Sequence, residues 1–333
     1  MDDQIIGCIY TLTALATLCV YVPCLVVMSS DPKFNKHSCF KLLISLGVSD
    51  LITLICQVGT GIVTMAELGP NIPYWLNKGI GAALHGLGWY SYTVHVHVIA
   101  FNRFVTMCTI HHPTPYWRNL FFSHSSTKLW LTICWLYGCV WWMVESLPWG
   151  SFIYIPQTYS WYWNSSEPWF QPLKTTGWWQ NLFNLSMNLV WYLITVVYLR
   201  YYRYRHHRNS TQMTRFDKHE GRILKQAAII CLYVLLWDQY WHFGGFLFHQ
   251  FHFKYAFAIG NIFWISNCAL NPLVYLYFNR RLRFQVKRLL HLNSNRADQP
   301  AEQSGTRALA SVRQEKYDCS GTQMTPLEEE SKC

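Results

Sequence analysis

The chain has 333 residues, of which 51% are hydrophobic, 17% aromatic and only 13% charged, about half the charged share of a soluble globular domain. That excludes an ordinary cytosolic protein, and the wealth of Trp, Tyr and Phe excludes a disordered one. The net charge of +10 and mean hydropathy of +0.07 average over strongly apolar blocks that alternate with basic ones, followed by a polar tail.

Seven predominantly apolar stretches of 19 to 29 residues follow one another: Ile5–Met28, Leu42–Met65, Gly79–Met107, Leu129–Leu147, Asn181–Leu199, Ile223–Leu247 and Ala256–Phe278. About 20 apolar residues in a helix cross the bilayer hydrocarbon once, so each stretch is long enough to span. A membrane strand needs only about ten residues and alternates in polarity, which these do not. Buried helices of a soluble fold are excluded because no polar surface exists elsewhere to cover seven of them. The expected fold is an all-α membrane protein, a seven-transmembrane helix bundle. After the seventh span, Arg280 to Leu292 sets Leu282, Phe284, Val286, Leu289 and Leu290 among Arg and Lys. That pattern predicts a short amphipathic helix over 280–292 lying on membrane lipid and closing a membrane domain of 1–292. Residues 293–333 are Ser-, Gly-, Glu- and Gln-rich and read as a disordered cytoplasmic tail open to kinases. There is no internal repeat, which weighs against a transporter built from duplicated halves.

Of the 27 Lys and Arg residues, only Lys78, Lys174 and Lys254 fall on the side opposite the rest. The positive-inside bias therefore places the amino terminus outside and the carboxyl terminus in the cytoplasm. The net charge reflects topology and attraction to anionic inner-leaflet lipid, and argues for no nucleic-acid partner. The first span is expected to act as a signal anchor. Asn164-Ser165-Ser166 sits in the predicted second outer loop as a glycosylation acceptor, whereas Asn209 matches the pattern inside the basic inner loop and Asn184 within the fifth span. Most of the twelve Cys lie in apolar spans and read as small hydrophobes. No CxxC pair and no outer-loop Cys occurs, so neither a zinc site nor an outer disulfide is expected. Cys319 and Cys333, in the tail, are free thiols or palmitoylation sites.

An ionisable group in mid-membrane is costly and marks function or pairing. Asp50 lies near the middle of the second span, Asp238 inside the sixth and Glu145 near the outer end of the fourth. In the seventh, Asn267 and Asn271 are one turn apart, so both can turn toward one acidic partner. Pro272 removes a backbone donor and offers a place to bend. The third span ends in VIAFNRFVTM, and a lone Arg at such a lip is ordinarily a snorkelling anchor.

The combination alters that weight. LxxxD (Leu46 to Asp50), NRF (Asn102, Arg103, Phe104) and NPLVY (Asn271 to Tyr275), in that order and depth, resemble the rhodopsin-like G-protein-coupled receptors from Ile5 to about Leu292. The resemblance implies that Asp50, Asn267 and Asn271 form a polar cluster holding a sodium ion. It also implies that Arg103 engages the carboxyl-terminal helix of a heterotrimeric G protein, and that Tyr275 swings inward on activation. The sequence departs from that pattern in several places. Asn102 stands where an acid usually precedes the Arg, leaving no adjacent carboxylate to restrain Arg103. The Cys at the outer end of the third span is missing, with Lys78 near that point. Trp237 sits at the depth of the family's switch Trp without a nearby Pro, the fifth span also lacks its Pro, and Pro113 falls later than usual. Together with HSCFKLLISLGVSDL, GAALHGLGWYSYTVHVHVIAFNRF and IGNIFWISNCALNPLVYLYFN, these departures look more like the nematode serpentine chemoreceptors of class T or X. That likeness implies a sensory receptor for a small-molecule or peptide ligand from outside. It implies a plasma or sensory-cilium membrane, a G protein within, arrestin and kinases at the tail, and no enzyme activity.

A ligand pocket in the outer half is expected from His85, Trp89, Glu145, Trp237, Asp238, Tyr240, Trp241 and Asn261. His85 precedes Arg103 by eighteen residues, five turns of a regular helix, on the same face. A buried unpaired charge is expensive, which favours a role for Asp238 and His85, whereas a Trp in a bundle is more often packing or interfacial belt. His95 and His97 point to different faces and read as helix-to-helix hydrogen bonders, which also tells against a haem or metal site there. The rival function is a proton-coupled carrier using Asp50, Asp238 and the intramembrane His residues as a relay.

Overall fold

The computed structural model describes residues 1–110, 116–206, 230, 232–241 and 255–290. Pro113, Asn209, Lys254, Cys319 and Cys333, most of the basic run from Arg200 to Lys225 and the tail 293–333 lie outside the described residues. The helices are α1 (Asp2–Ser30), α2 (Pro32–Asn35), α3 (Ser38–Met65), α4 (Tyr74–Ala82), α5 (Ser91–Ile110), α6 (Tyr116–Phe122), α7 (His124–Ser146), α8 (Phe170–His206), α9 (232–241), α10 (Ala256–Phe278) and α11 (Arg280–Leu289). Eight π-helical residues, Ala83–Tyr90, join α4 to α5.

Four helices among the described residues are apolar and long enough to cross a membrane: α1, α3, residues 170–201 of α8, and α10, with mean hydropathies of 2.1, 1.9, 1.6 and 1.3. The third and fourth expected spans, α4 to α5 and α7, are lowered by polar side chains that the structure turns inward: His85, Ser91, His95 and Asn102, and Thr127 and Glu145, are all buried. Hydropathy averages around a helix and cannot tell a lipid face from a bundle face.

Helix ends follow local chemistry. Asp31 caps α2 by accepting from the Lys33 N–H at 2.9 Å, with Pro32 at its first position. Ser123 starts α7 by accepting from the Ser126 N–H at 3.2 Å, and Asn279 starts α11 by accepting from the Leu282 N–H at 3.0 Å. Helix α10 stays helical through Pro272, although the ring removes the hydrogen bond to the Cys268 carbonyl.

A two-stranded antiparallel hairpin, β1 (Phe152–Ile155) and β2 (Ser160–Trp163), pairs Phe152 with Trp163 and Ile155 with Ser160. At its turn Tyr159 takes φ 55°, a left-handed conformation rare for a bulky residue, and its carbonyl accepts from the Tyr10 hydroxyl at 2.7 Å. The hairpin presses on the bundle: Trp161 Nε1 donates to Thr60 at 3.0 Å, and Tyr154 and Thr64 share a hydroxyl contact of 2.6 Å. Gly81 permits the seating, since a Cβ there would overlap the Phe152 carbonyl. Among the described residues, this hairpin is the one β element, which the all-α expectation did not contain. Its two strands, FIYI and SWYW, are too short and too aromatic to stand out from the apolar background.

Candidate functional site

At the hairpin end lies a cavity of about 130 Å³. His85 and Trp89 reach it from the π-helical stretch, Phe152 and Trp163 from the hairpin, Lys174 and Asn181 from α8, Trp237, Asp238 and Trp241 from α9, and Trp264 from α10. The His85 ring stacks on Phe152 at 4.0 Å between centroids and meets the edge of Trp163 at 5.2 Å. Its Nδ1 donates to Glu145 Oε1 at 2.6 Å. Trp89, Trp237 and Trp264 form an indole cluster with centroids 4.5 to 6.2 Å apart, and Trp89 Nε1 donates to Asn181 at 3.2 Å.

Five of the eight residues expected in this pocket line it: His85, Trp89, Trp237, Asp238 and Trp241. Three do not. Glu145 is fully buried behind His85, its Oε2 without a partner among the described residues. The Tyr240 hydroxyl donates to the Ala256 carbonyl at 2.5 Å. Asn261 is consumed in a reciprocal amide pair with Gln57, at 2.9 and 3.0 Å. Tyr240 and Asn261 thus spend on the protein the polar atoms that sequence reading offered to a ligand, and Glu145 gives one carboxylate oxygen to His85. The count of five regular turns from His85 to Arg103 also fails, because residues 83–90 are π-helical and wind more loosely.

The hairpin is tied to α4 without a disulfide; the nine described Cys are all free. The Asn77 amide donates to the Tyr154 carbonyl at 3.0 Å while its oxygen accepts from the Tyr154 N–H at 2.8 Å. Beside it Lys78 Nζ donates to the Leu147 carbonyl and Tyr74 to Glu167, each at 2.5 Å. Burial pushes the Tyr154 phenol up to about 12, so it stays neutral in its contact with Thr64.

In mid-bundle Asp50, 2% exposed, accepts at Oδ2 from the Tyr21 hydroxyl at 2.6 Å and from Asn271 Nδ2 at 2.9 Å. Asn271 thus meets the acid as its spacing suggests. Asn267 does not join it: it is buried one turn away with Oδ1 unpartnered among the described residues. His95 does what packing asks. Its Nδ1 donates to the Ser91 carbonyl at 2.8 Å, and its Nε2 accepts from Ser45 at 2.8 Å. Ser45 in turn accepts from Trp135 Nε1 at 2.9 Å.

At the other end a larger cavity of about 550 Å³ is lined by Asn102, Arg103, Arg118, Tyr275 and Arg280 among others. Asn102 spends its amide on Ser38 at 3.0 Å, so it ties α5 to α3 and takes no acid's place beside Arg103. Helix α11 is fixed there by Arg281, whose Nε and Nη2 reach Asp31 at 3.0 and 2.8 Å and whose guanidinium lies 5.7 Å from the centre of the Phe34 ring. Burial alone would raise the Asp31 carboxyl, but the Lys33 N–H and the Arg281 guanidinium outweigh it and hold the group below the usual carboxylate range.

A bundle with an aromatic cavity at one end and an arginine-lined mouth at the other agrees with known proteins. The family described as "Serpentine type 7TM GPCR chemoreceptor Srt" matches residues 1–299. The chain belongs to that family. Squid rhodopsin has the same fold, with a TM-score of 0.73 at 12% identity over 91% of this chain and 90% of its own. No curated protein matches by sequence. The seven-helix bundle, and the serpentine chemoreceptor family that the departures and the segments around Asp50, Arg103 and Asn271 resemble, are therefore established, with class T the member.

In this serpentine chemoreceptor, sequence reading missed Tyr21, the closest donor to Asp50, and the cavity residues Phe152, Trp163, Lys174, Asn181 and Trp264. Tyr21 offered no signal beyond being a Tyr in an apolar span. Lys174 did offer one: it is one of only three cations on its side of the membrane by the charge count.

Proposed function

We propose that the chain is a chemosensory receptor in a plasma or ciliary membrane, its hairpin end outside and its carboxyl-terminal end in the cytoplasm. A small ligand enters the aromatic cavity, and a heterotrimeric G protein docks at the Arg103 mouth. The observation that carries this reading is the polar column between the two ends. Asp50 is gripped by Tyr21 of α1 and Asn271 of α10, and Asn271 stands one turn from Tyr275, which lines the mouth with Arg103. Trp237 of α9 and Trp264 of α10 both line that cavity. A ligand that binds one arrangement of these helices better than the other shifts the population toward it, and can shift it by no more than that difference. Opening of the mouth then offers Arg103 to the G protein. Asn164, partly exposed just beyond β2, is the glycosylation acceptor on the outer side.

The test is guanine-nucleotide exchange on a purified G protein by the receptor in nanodiscs. Exchange should rise with an activating ligand and fall at least tenfold in Arg103→Ala with the melting temperature unchanged. Solute flux through the reconstituted receptor with no exchange would overturn the reading in favour of a carrier. Arg103→Ala retaining full exchange would overturn the role of the mouth.

A further inference from the structure

We infer that the hairpin-end cavity takes a small aromatic monocarboxylate, its ring inward among the indoles and its acid group outward against Lys174. This deepens the ligand-site reading above and rests on it. Lys174 and Asn181 both line the cavity, and seven residues of helix, about two turns, put them on one face of α8. Lys174 stands exposed at the lip, with Nζ 5.5 Å from the centroids of both Tyr162 and Phe170. The two rings hold the ammonium in place without neutralising it, and among the described residues Lys174 enters no ion pair. Asn181 Oδ1 already accepts from Trp89 Nε1 at 3.2 Å. That leaves its Nδ2 hydrogens, which no protein group accepts among the described residues. The α8 wall therefore offers hydrogens and positive charge, and no spare acceptor. The other ionisable groups of the lining are engaged: His85 donates to Glu145 at 2.6 Å, and Asp238, 2% exposed, already has a partner within the protein.

Size, ring surroundings and charge narrow the occupant. A volume of about 130 Å³ is close to that of the cavity of about 150 Å³ that admits benzene, so the interior holds one six-membered ring and a peptide is too large. Trp89, Trp237 and Trp264, with centroids 4.5 to 6.2 Å apart, present both faces and edges, the surroundings in which an aromatic ring packs best. A cationic ligand meets like charge at Lys174, and a neutral one gains nothing from it. A dianion brings a second charge for which the described lining has no further uncommitted cation. A single carboxylate takes a charge-assisted hydrogen bond from Lys174 and leaves no charge over.

The experiment uses the full chain in nanodiscs, read by thermal shift and equilibrium binding. The aromatic acids are benzoate, phenylacetate and nicotinate; the controls are benzyl alcohol and benzylamine, which keep the ring and change the charge, and acetate, which keeps the charge and lacks the ring. At least one aromatic acid should bind saturably and at least tenfold more tightly than every control. Lys174→Gln should weaken it at least tenfold, and Lys174→Glu should move the preference to benzylamine. Asn181→Asp keeps an acceptor for Trp89 but exchanges the Nδ2 hydrogens for negative charge, and should weaken the acid as well. Lys174 is exposed, so its variants fold, and they keep the test decisive even where Asn181→Asp does not express. Absence of binding by every aromatic acid, equal binding of any control to the wild type, or acid affinity unchanged in Lys174→Gln would overturn the proposal. The reading of the cavity as a ligand site fails separately. If benzyl alcohol or benzylamine binds and loses binding in Trp237→Ala, the site stands and only the charge class is wrong; if no probe responds to Trp237→Ala, both are wrong.

Discussion

The two ends of this bundle differ by more than fourfold in cavity volume, about 130 Å³ beneath the hairpin against about 550 Å³ around Arg103. They also differ in how their polar groups are used. Beneath the hairpin most are already paired within the protein, as in His85 with Glu145, Gln57 with Asn261 and Asn77 with the Tyr154 backbone, and the remaining space is walled by aromatic rings. Around Arg103, three arginines and a tyrosine line a wider space. A small rigid space gains affinity from preorganisation, because little ordering remains to be done when a ligand enters. A wide basic mouth suits a protein partner, whose charges steer association and whose surface fills the volume. The Asp50 cluster lies between the two ends.

The strongest way to break the contrast is at the buried pair. Glu145→Ala leaves His85 without its partner in the interior and should cost about 3–5 kcal/mol, seen as a large fall in the melting temperature of the purified receptor; a fall below 1 °C would mean that the pair does not hold the hairpin end. Next, Gly81→Val drives a side chain into the Phe152 carbonyl and should cost about 3 kcal/mol, with loss of probe binding at the cavity while Arg103 remains accessible to a G-protein peptide. Asn77→Ala removes both bonds to Tyr154 and should cost about 1–3 kcal/mol. Dithiothreitol should leave the melting temperature of the wild type unchanged, since no described cysteine is bridged. The smallest effect belongs to the Arg103 end. With its pKa depressed in the folded state, the Asp31 carboxylate contributes fully above the unfolded value of about 4 and loses that contribution as pH falls through the folded value. The Arg281 partner is 37% exposed, so the contribution is under about 1 kcal/mol. Asp31→Asn should remove that slope from the acid limb of a melting-temperature profile without altering it above pH 6.

The seven-helix bundle and the family could be read directly from the chain. Lipid requires long apolar runs wherever a helix crosses, and Asp50, Arg103 and the Asn271 to Tyr275 segment are short motifs whose order survives without any knowledge of packing. Orientation of side chains within the bundle was legible only in part. Trp237, Asp238 and His85 line the cavity, as expected of expensive or bulky groups, which inside a membrane face the bundle interior. Glu145, Tyr240 and Asn261 satisfy the same criterion and yet miss the cavity, since a polar group inside the bundle is content with any partner, and Gln57 or the Ala256 carbonyl serves as well as a ligand. Spacing could not foresee the π-helical turns at 83–90, which shift every residue beyond them, nor the hairpin that brings Phe152 and Trp163 over His85 from some 70 positions away along the chain. Local sequence thus determined where the chain crosses and which residues must be hidden from lipid, because that solvent acts on each residue independently. Tertiary structure alone decided which hidden groups pair with each other and which are left facing a ligand, because pairing depends on the distance between segments that the sequence does not set.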